Sequence, residues 1–353
     1  MTAFADIDTP AVLVDLDVAE ANIDRFQALC DEHGLKNRPH IKTHKLPVLA
    51  RRQVAAGAVG ITCQKISEAE AMVAEGGVGD VLLTYNVVGA AKLARLRALA
   101  ARVRLSVVAD SAAVVAGLGS AFADASEPLT VLVECDTGAG RCGVPTPAAA
   151  RDLAAIIAAT PGLRFGGLMT YPAVGGTAAV QAFMTEAVAL CEAAGLAVER
   201  VTSGGAPDMW RAHEAPVVTE YRTGTYVYND RSLVERGVCG WADCALTVLA
   251  TVVSVPTANR AVIDAGTKVL TSDLLGLQGH GHVLGRSDIA IDQLSEEHGR
   301  LVSAGPIGLA VGDRVRVVPN HCCVVSNMLD SVVAVRGDEV AGPLPVAARG
   351  QVW

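Results

Sequence analysis

The chain has 353 residues, of which 51% are apolar and 19% charged, with a formal charge of −8. Such a chain can bury a large core in one large domain or two and is not disordered. Its acidity, few aromatic residues and lack of a basic stripe exclude nucleic acid as the main partner. No apolar run reaches the roughly 18 residues of a membrane span. The first residues lack the basic start and apolar stretch of a signal peptide, so a cytoplasmic protein is expected. The nine cysteines are an odd number without framework spacing, which predicts free, mostly buried thiols.

Residues 11–15 (Ala-Val-Leu-Val-Asp) read as a strand, and the apolar spacing of Val18, Ala21, Ile23, Phe26 and Leu29 predicts a helix over 17–33, stopped by Gly34. Strand-like runs then fall at 38–41, 59–62, 80–84, 103–108, 130–135, 164–169, 200–203 and 216–221. Ala-rich helical stretches such as 66–76, 89–101, 146–159 and 178–194 alternate with them. Continuous apolar runs such as Val131-Leu132-Val133 suit a parallel sheet covered on both faces. Eight such units predict an α/β fold, a (β/α)8 TIM-type barrel, over 17–235; an open doubly wound sheet is the alternative. After about 235 the pattern changes. Runs at 245–255, 261–264, 314–318 and 331–335 are strands without comparable helices. They predict a β-rich second domain over 236–353, joined by the N-terminal strand segment 1–16.

Functional groups of a barrel collect at the C-terminal ends of its strands. At the first of these ends lies 38–45 (Arg-Pro-His-Ile-Lys-Thr-His-Lys). Lys42, flanked by two histidines and a second lysine, has a route to a neutral amine that attacks an aldehyde to form a Schiff base. The loop 136–143 (Asp-Thr-Gly-Ala-Gly-Arg-Cys-Gly) follows the fifth strand, with three glycines for tight turns and Arg141 as a fixed charge. Ser203-Gly204-Gly205 and Thr223-Gly224-Thr225-Tyr226 end strands seven and eight, where barrels build phosphate sites from backbone N–H groups. His321-Cys322-Cys323 places an imidazole and a thiol on one face if the segment is extended, a pair that suits Zn²⁺ with open positions left for water or substrate. Asp330 and 296–298 (Glu-Glu-His) are candidate neighbours of that pair. Gln64, Tyr171, His44 and Asp264 are candidate pocket residues, and His280 and His282 a second candidate metal pair.

Together these motifs resemble the fold-type III pyridoxal-phosphate enzymes, and within them the D-threonine aldolase/D-serine dehydratase family. The resemblance runs from 8–15 (Asp-Thr-Pro-Ala-Val-Leu-Val-Asp) through 38–45, 63–69, 136–143 and 219–226 to 264–266, 297–299, 319–323 (Pro-Asn-His-Cys-Cys) and 347–350. It implies a barrel plus a β-domain, usually a homodimer, that uses pyridoxal 5'-phosphate and a divalent metal (Zn²⁺, alternatively Mn²⁺ or Mg²⁺). By resemblance Lys42 carries the cofactor and Arg141 faces its ring nitrogen. Ser203, Gly204, Thr223, Gly224 and Tyr226 cradle its phosphate, Gln64 and Tyr171 line the pocket, and His321 and Cys323 bind the metal. Lys42, His321 and Tyr171 are the implied catalytic groups. The implied reaction is retro-aldol cleavage of a β-hydroxy-D-amino acid to glycine and an aldehyde. Within the family, β-elimination from D-serine or 3-hydroxy-D-aspartate is the alternative. Cys323 resembles the dehydratases, and Pro172-Ala173-Val174 stands where aldolases tend to show a histidine. A racemase or a non-catalytic cofactor carrier are further alternatives.

Overall fold

The computed structural model describes residues 4–353. The chain forms two compact units. A barrel unit comprises residues 25–42, 47–224 and 351–353. A β unit comprises residues up to Asp24 with 43–46 and 225–350.

The chain enters on β1 (Ala11–Asp15), which belongs to the β unit, and continues into the helix Leu16–Glu32. Eight parallel strands follow: β2 (Lys36–Asn37), β3 (Ile61–Cys63), β4 (Asp80–Leu83), β5 (Arg104–Ala109), β6 (Leu129–Cys135), β7 (Leu163–Thr170), β8 (Arg200–Gly204) and β9 (Glu220–Arg222). They pair in sequence from β3 to β9, β9 pairs with β2, and a parallel bridge between His40 and Thr62 closes the ring. Closure removes both sheet edges and excludes the open-sheet alternative. The helices Ile66–Ala74, Ala90–Ala100, Pro147–Ala159 and Thr177–Ala193 lie where the apolar spacing puts them. The one over Pro147–Ala159 starts on Thr146, whose hydroxyl accepts the Ala149 N–H, with Pro147 at the position that needs no N–H.

The first barrel strand differs from its expected span of 38–41. The regular strand covers only Lys36–Asn37, the N–H groups of Arg38 and His40 still donate to the Tyr221 and Thr223 carbonyls, and Ile41–Thr43 turns as a 3-10 helix. Pro39 has no N–H to give to a ladder, and its carbonyl accepts the Thr62 N–H instead. Lys42 therefore sits on a tight turn past the strand.

The barrel interior is unusually ionic. Arg38 reaches past β3 to Asp80 on β4 (2.5 Å) and sideways to Glu220 (2.8 Å). Arg200 crosses from β8 to Ser106 on β5 (2.6 Å) and approaches Glu220 at 3.8 Å. Above them Arg222, wholly enclosed, donates to Thr202 Oγ1 (2.7 Å) and the Thr170 carbonyl (2.8 Å). Burial lowers its basicity to about 10, opposed by Glu220 and Glu134, so it is charged at neutral pH. Leu82, Val108, Leu132 and Met169 fill the apolar part of the lumen. The N-terminal mouth opens into a cavity of about 1080 Å³ lined by Arg38, Asp80, Arg104, Arg164, Arg200 and Glu220.

The β unit is built on β10 (Leu246–Thr257), β11 (Arg260–Ile263), β12 (His282–Val283), β13 (Ile289–Leu294), β14 (Gly299–Ser303), β15 (Arg314–Val318), β16 (Ser331–Arg336) and β17 (Glu339–Pro345). Six of them form a closed antiparallel ring, β10-β11-β14-β13-β12-β15 and back to β10. β1 extends it by pairing antiparallel to β10 and parallel to β16, with the β16–β17 hairpin outside. Phe4, Leu13, Leu249 and Val335 make a core cluster there. All nine cysteines are free, and six of them are buried. Among the described residues no helix is long and apolar enough to cross a membrane.

Removing Arg38 leaves the buried Glu220 carboxylate with Arg200 as its nearest cation. Arg38→Ala should therefore cost about 3 kcal/mol or more in urea unfolding. A loss below about 1 kcal/mol would show that the lumen tolerates an unbalanced charge.

Candidate active site

In the barrel unit, the C-terminal strand ends carry the chemistry-bearing residues. Lys42 is half-buried, and its backbone N–H lies 3.4 Å from His40 Nδ1. Gln64, directly after β3, is fixed from three sides. Its amide donates to the Thr84 carbonyl (2.9 Å), its oxygen meets His40 Nε2 (3.2 Å), and its backbone N–H donates to Glu68 (2.7 Å).

The loop 136–143 is ordered by carboxylates. Asp136 Oδ1 accepts the N–H groups of Gly138 (2.9 Å) and Gly140 (3.1 Å), which hold its pKa below the usual carboxylate value. Asp110 accepts the Gly143 N–H (3.2 Å). Gly143 has φ +114, and a Cβ there would sit 2.5 Å from backbone atoms of Cys135 and Asp136, so only glycine closes this turn. The loop presents Arg141 over the Tyr171 ring, 4.6 Å from its centroid, with both side chains exposed. Beneath them Glu134, on the lumen-facing register of β6, is buried. Burial pushes its carboxyl up to about 7, with Arg141 and Arg222 opposing and Asp110 and Asp136 reinforcing.

Ser203 and Gly204 end β8, and Thr223 and Gly224 follow β9. The register pairs Ser203 with Tyr221 and Gly204 with Arg222, so the two small-residue ends lie side by side. A Cβ on Gly204 would meet the Arg222 carbonyl at 2.2 Å, whereas Gly205, at φ +117, faces open space. This backbone, bare of side chains, fits a phosphate. With the Lys42 amine in the same unit, the residues present fit pyridoxal phosphate.

In the β unit, Tyr226 is buried on the 3-10 turn Thr225–Val227. Residues 321–323 are not one extended segment: His321 alone is extended and caps the helix Cys322–Met328. His321 and Cys323 still come within hydrogen-bonding reach of each other. The corner is clamped by Asp230, whose two oxygens accept the Cys322 N–H (3.1 Å) and the Ser232 hydroxyl (2.6 Å). Thr43 Oγ1 lies 3.2 Å and Thr225 Oγ1 3.7 Å from the Cys323 sulfur. His321 Nδ1 lies 2.7 Å from Asp273 Oδ2.

Burial opposes a charged imidazole, but Cys323, Asp273 and Asp230 outweigh it and push His321 to about 9. Hydrogen bonds from Cys322, His321 and Thr43 hold the Cys323 thiol well below its ordinary value against burial. A thiolate beside an imidazole whose Nδ1 is already engaged is a donor pair that fits a divalent metal with open positions. Among the described residues no group of three or more His, Cys, Asp or Glu side chains is arranged to hold an ion.

Most of the other candidates are engaged elsewhere, whereas the buried Nδ1 of His280 has no hydrogen-bond partner among the described residues. Glu296 and Glu297 pair with Lys268, and Asp330 pairs with Arg349 (3.1 Å). His282 stacks on Trp241 at 3.8 Å, and burial lowers the pKa of both His280 and His282. Asp264 accepts Thr9 Oγ1 (2.6 Å) and the Thr251 N–H (2.8 Å). His44 is buried against Tyr228, and its Nδ1 accepts the Leu46 N–H. Glu134, Arg222, Asp230 and Asp273 had no sequence signal beyond being charged; for the first two, the strand alternation that turns them inward is the clue that was available.

A closed parallel (β/α) barrel carrying a strand-end lysine, followed by an antiparallel β-barrel, is the alanine-racemase-like architecture. The family model described as alanine racemase, N-terminal domain matches residues 14–232, and that of a putative serine dehydratase domain matches 245–335. The chain is 35% identical to a D-threonine aldolase of Arthrobacter sp (98% of this chain, 94% of that one). It is 34% identical to a 3-hydroxy-D-aspartate aldolase of Paracoccus denitrificans (strain Pd 1222) (98% and 93%). It is 31% identical to a D-threo-3-hydroxyaspartate dehydratase of Delftia sp. (strain HT23) (94% and 95%). The crystal structure of D-threonine aldolase from Filomicrobium marinum superposes with a TM-score of 0.93 at 34% identity, covering 99% of this chain and 98% of that one. The chain belongs to the D-threonine aldolase/D-serine dehydratase family of fold-type III pyridoxal-phosphate enzymes.

Glu134 makes the stability of this rim depend on pH. A glutamate titrates ordinarily at 4.5 and here at about 7, so between those values the folded chain keeps a proton that the unfolded chain has released. Its contribution is full below about 4.5 and is lost as pH rises to about 7. Relative to wild type, cofactor-free Glu134→Gln should gain up to about 3 kcal/mol over that range in urea unfolding. A pH-independent difference would mean that Glu134 is ionised throughout.

Proposed function

We propose that this protein is a lyase that uses pyridoxal phosphate and a divalent metal to break the Cα–Cβ bond of β-hydroxy-D-amino acids, D-threonine among them, giving glycine and an aldehyde. The observation that carries this reading is likeness over the whole chain to D-threonine aldolases in sequence and fold. Both the lysine turn and the His321–Cys323 pair lie within it. Bound cofactor supplies an electron sink for the charge left at Cα, and a bound metal polarises the β-hydroxyl.

The chain's own residues have the following roles. Lys42 supplies the amine that holds the cofactor's aldehyde carbon. Ser203, Gly204, Thr223, Gly224 and Tyr226 bind its phosphate. Gln64, locked by His40 and the Thr84 carbonyl, lines the pocket beside it. Arg141 meets the ring, kept in place by the glycine loop and by Tyr171. His321 and Cys323 hold the metal, preferentially Zn²⁺ because thiolate ligation favours it. His321 serves catalysis as a ligand of that metal, and Tyr171 handles the protons. The reading extends to a homodimer in the cytoplasm.

Cys323 favours a second reading, in which Lys42 removes the α-proton and the β-hydroxyl leaves, giving a keto acid and ammonia. The dehydratase relative is the less similar in sequence.

Incubation with D-threonine, pyridoxal phosphate and Zn²⁺ or Mn²⁺ should give equimolar glycine and acetaldehyde. Lys42→Ala should lose both turnover and the cofactor trapped on the chain by borohydride. His321→Ala should keep the trapped cofactor and lose turnover by at least about 100-fold. 2-Oxobutyrate and ammonia in place of glycine would replace the aldolase reading by the dehydratase one.

A further inference from the structure

The imidazole of His321 has one nitrogen already assigned. Its Nδ1 lies 2.7 Å from Oδ2 of Asp273, a residue 48 positions earlier in the chain. The segment carrying Asp273 is built at some cost. Thr271, which ends the helix Thr267–Leu270, has φ +66 and ψ 166, a conformation that only glycine adopts readily. A β-branched residue held there costs on the order of 1–3 kcal/mol, which surrounding structure must offset. The hydroxyl of the same Thr271 accepts the Asp273 N–H (3.1 Å). Asp273 Oδ1 accepts the Leu275 N–H (3.3 Å), which leaves Oδ2 for the imidazole. The far end of the segment is tied to the residue beside His321, because Asn320 Nδ2 donates to the Gly279 carbonyl (2.8 Å). Both ends of the segment and the orientation of its carboxylate are thus specified around one histidine. Glu296, Glu297 and Asp330, the carboxylates that the sequence offered as neighbours, are taken by Lys268 and Arg349.

We propose that Asp273 is the positioning residue of the metal centre: it accepts the Nδ1 proton of His321, fixes the tautomer and turns Nε2 toward the ion that His321 shares with Cys323. A carboxylate in that place raises the basicity of the ligating nitrogen as well as orienting it. The proposal rests on the reading of His321 and Cys323 as the metal pair.

The test uses the full-length, cofactor-free and metal-free protein titrated with Co²⁺, following the thiolate-to-cobalt absorption. Wild type, Asp273→Ala, Asp273→Asn and His321→Ala are compared, with circular dichroism as a control on folding. Asp273→Ala should weaken Co²⁺ binding by about 10- to 100-fold while keeping the thiolate band at saturation. Asp273→Asn, whose amide oxygen still accepts the proton, should recover part of the loss and serves where the alanine variant does not fold. His321→Ala should lose the site. Wild-type affinity in both Asp273 variants, with binding lost in His321→Ala, overturns the proposal and leaves the metal pair standing. Wild-type affinity in His321→Ala overturns the metal pair, and the proposal with it.

Discussion

The barrel is organised by charges that have nowhere else to go. Arg38, Glu220, Arg200 and Arg222 point into a lumen that in most barrels is filled by branched aliphatic side chains. None of them can be removed alone without leaving a partner desolvated, so they fix the register of β2, β4, β8 and β9 together. The arrangement continues upward: Arg222 sits under Glu134, and Glu134 sits under Arg141. An exposed arginine at the rim is in this way tied electrostatically to a network that begins at the opposite mouth. The preorganisation of the rim is therefore a property of the lumen and not of the loops alone.

The same economy of placement governs the β unit. Asp230 caps the short helix Arg231–Glu235 and clamps the Cys322 backbone, so one buried carboxylate sets the corner from which His321 and Cys323 project. The helix that begins at Cys322 brings the imidazole and thiol together by a route other than strand alternation, with an extended residue at the cap and a helical one two positions on. Strain at Thr271 and the two ties of its segment complete the surroundings of the histidine.

Much of this was legible in the sequence because period and composition are local. The alternating runs and Ala-rich stretches located the barrel strands to within a few residues. The glycines of 136–143 marked a loop whose backbone does adopt positive φ at Gly138, Gly140 and Gly143. The lysine lies on a turn because the chain leaves the barrel ladder after His40, whose N–H still reaches the Thr223 carbonyl, and strand propensity carries no record of where a ladder ends. The lumen was invisible for a different reason. Glu220 and Arg222 flank Tyr221 in the short strand β9, and charged residues alternating with an aromatic one read as a solvated face until the sheet closes on itself. Asp273 could not be found at all: its partner is far away in sequence, and its own neighbours are an unremarkable loop. Short β strands such as His282–Val283 were missed because two residues hold no period.

The family likeness leaves one chemical question at the centre, namely which bond at the α-carbon breaks. The aldolase account keeps the Cα–H bond intact and breaks Cα–Cβ; the elimination and racemisation accounts both begin by removing the α-hydrogen. D-Threonine carrying deuterium at Cα separates them in one measurement, read by mass spectrometry at early turnover in ordinary water. The account predicts that the deuteron is retained in the glycine, with acetaldehyde as co-product. Deuterium released to solvent, with 2-oxobutyrate or L-allo-threonine as product, would contradict it.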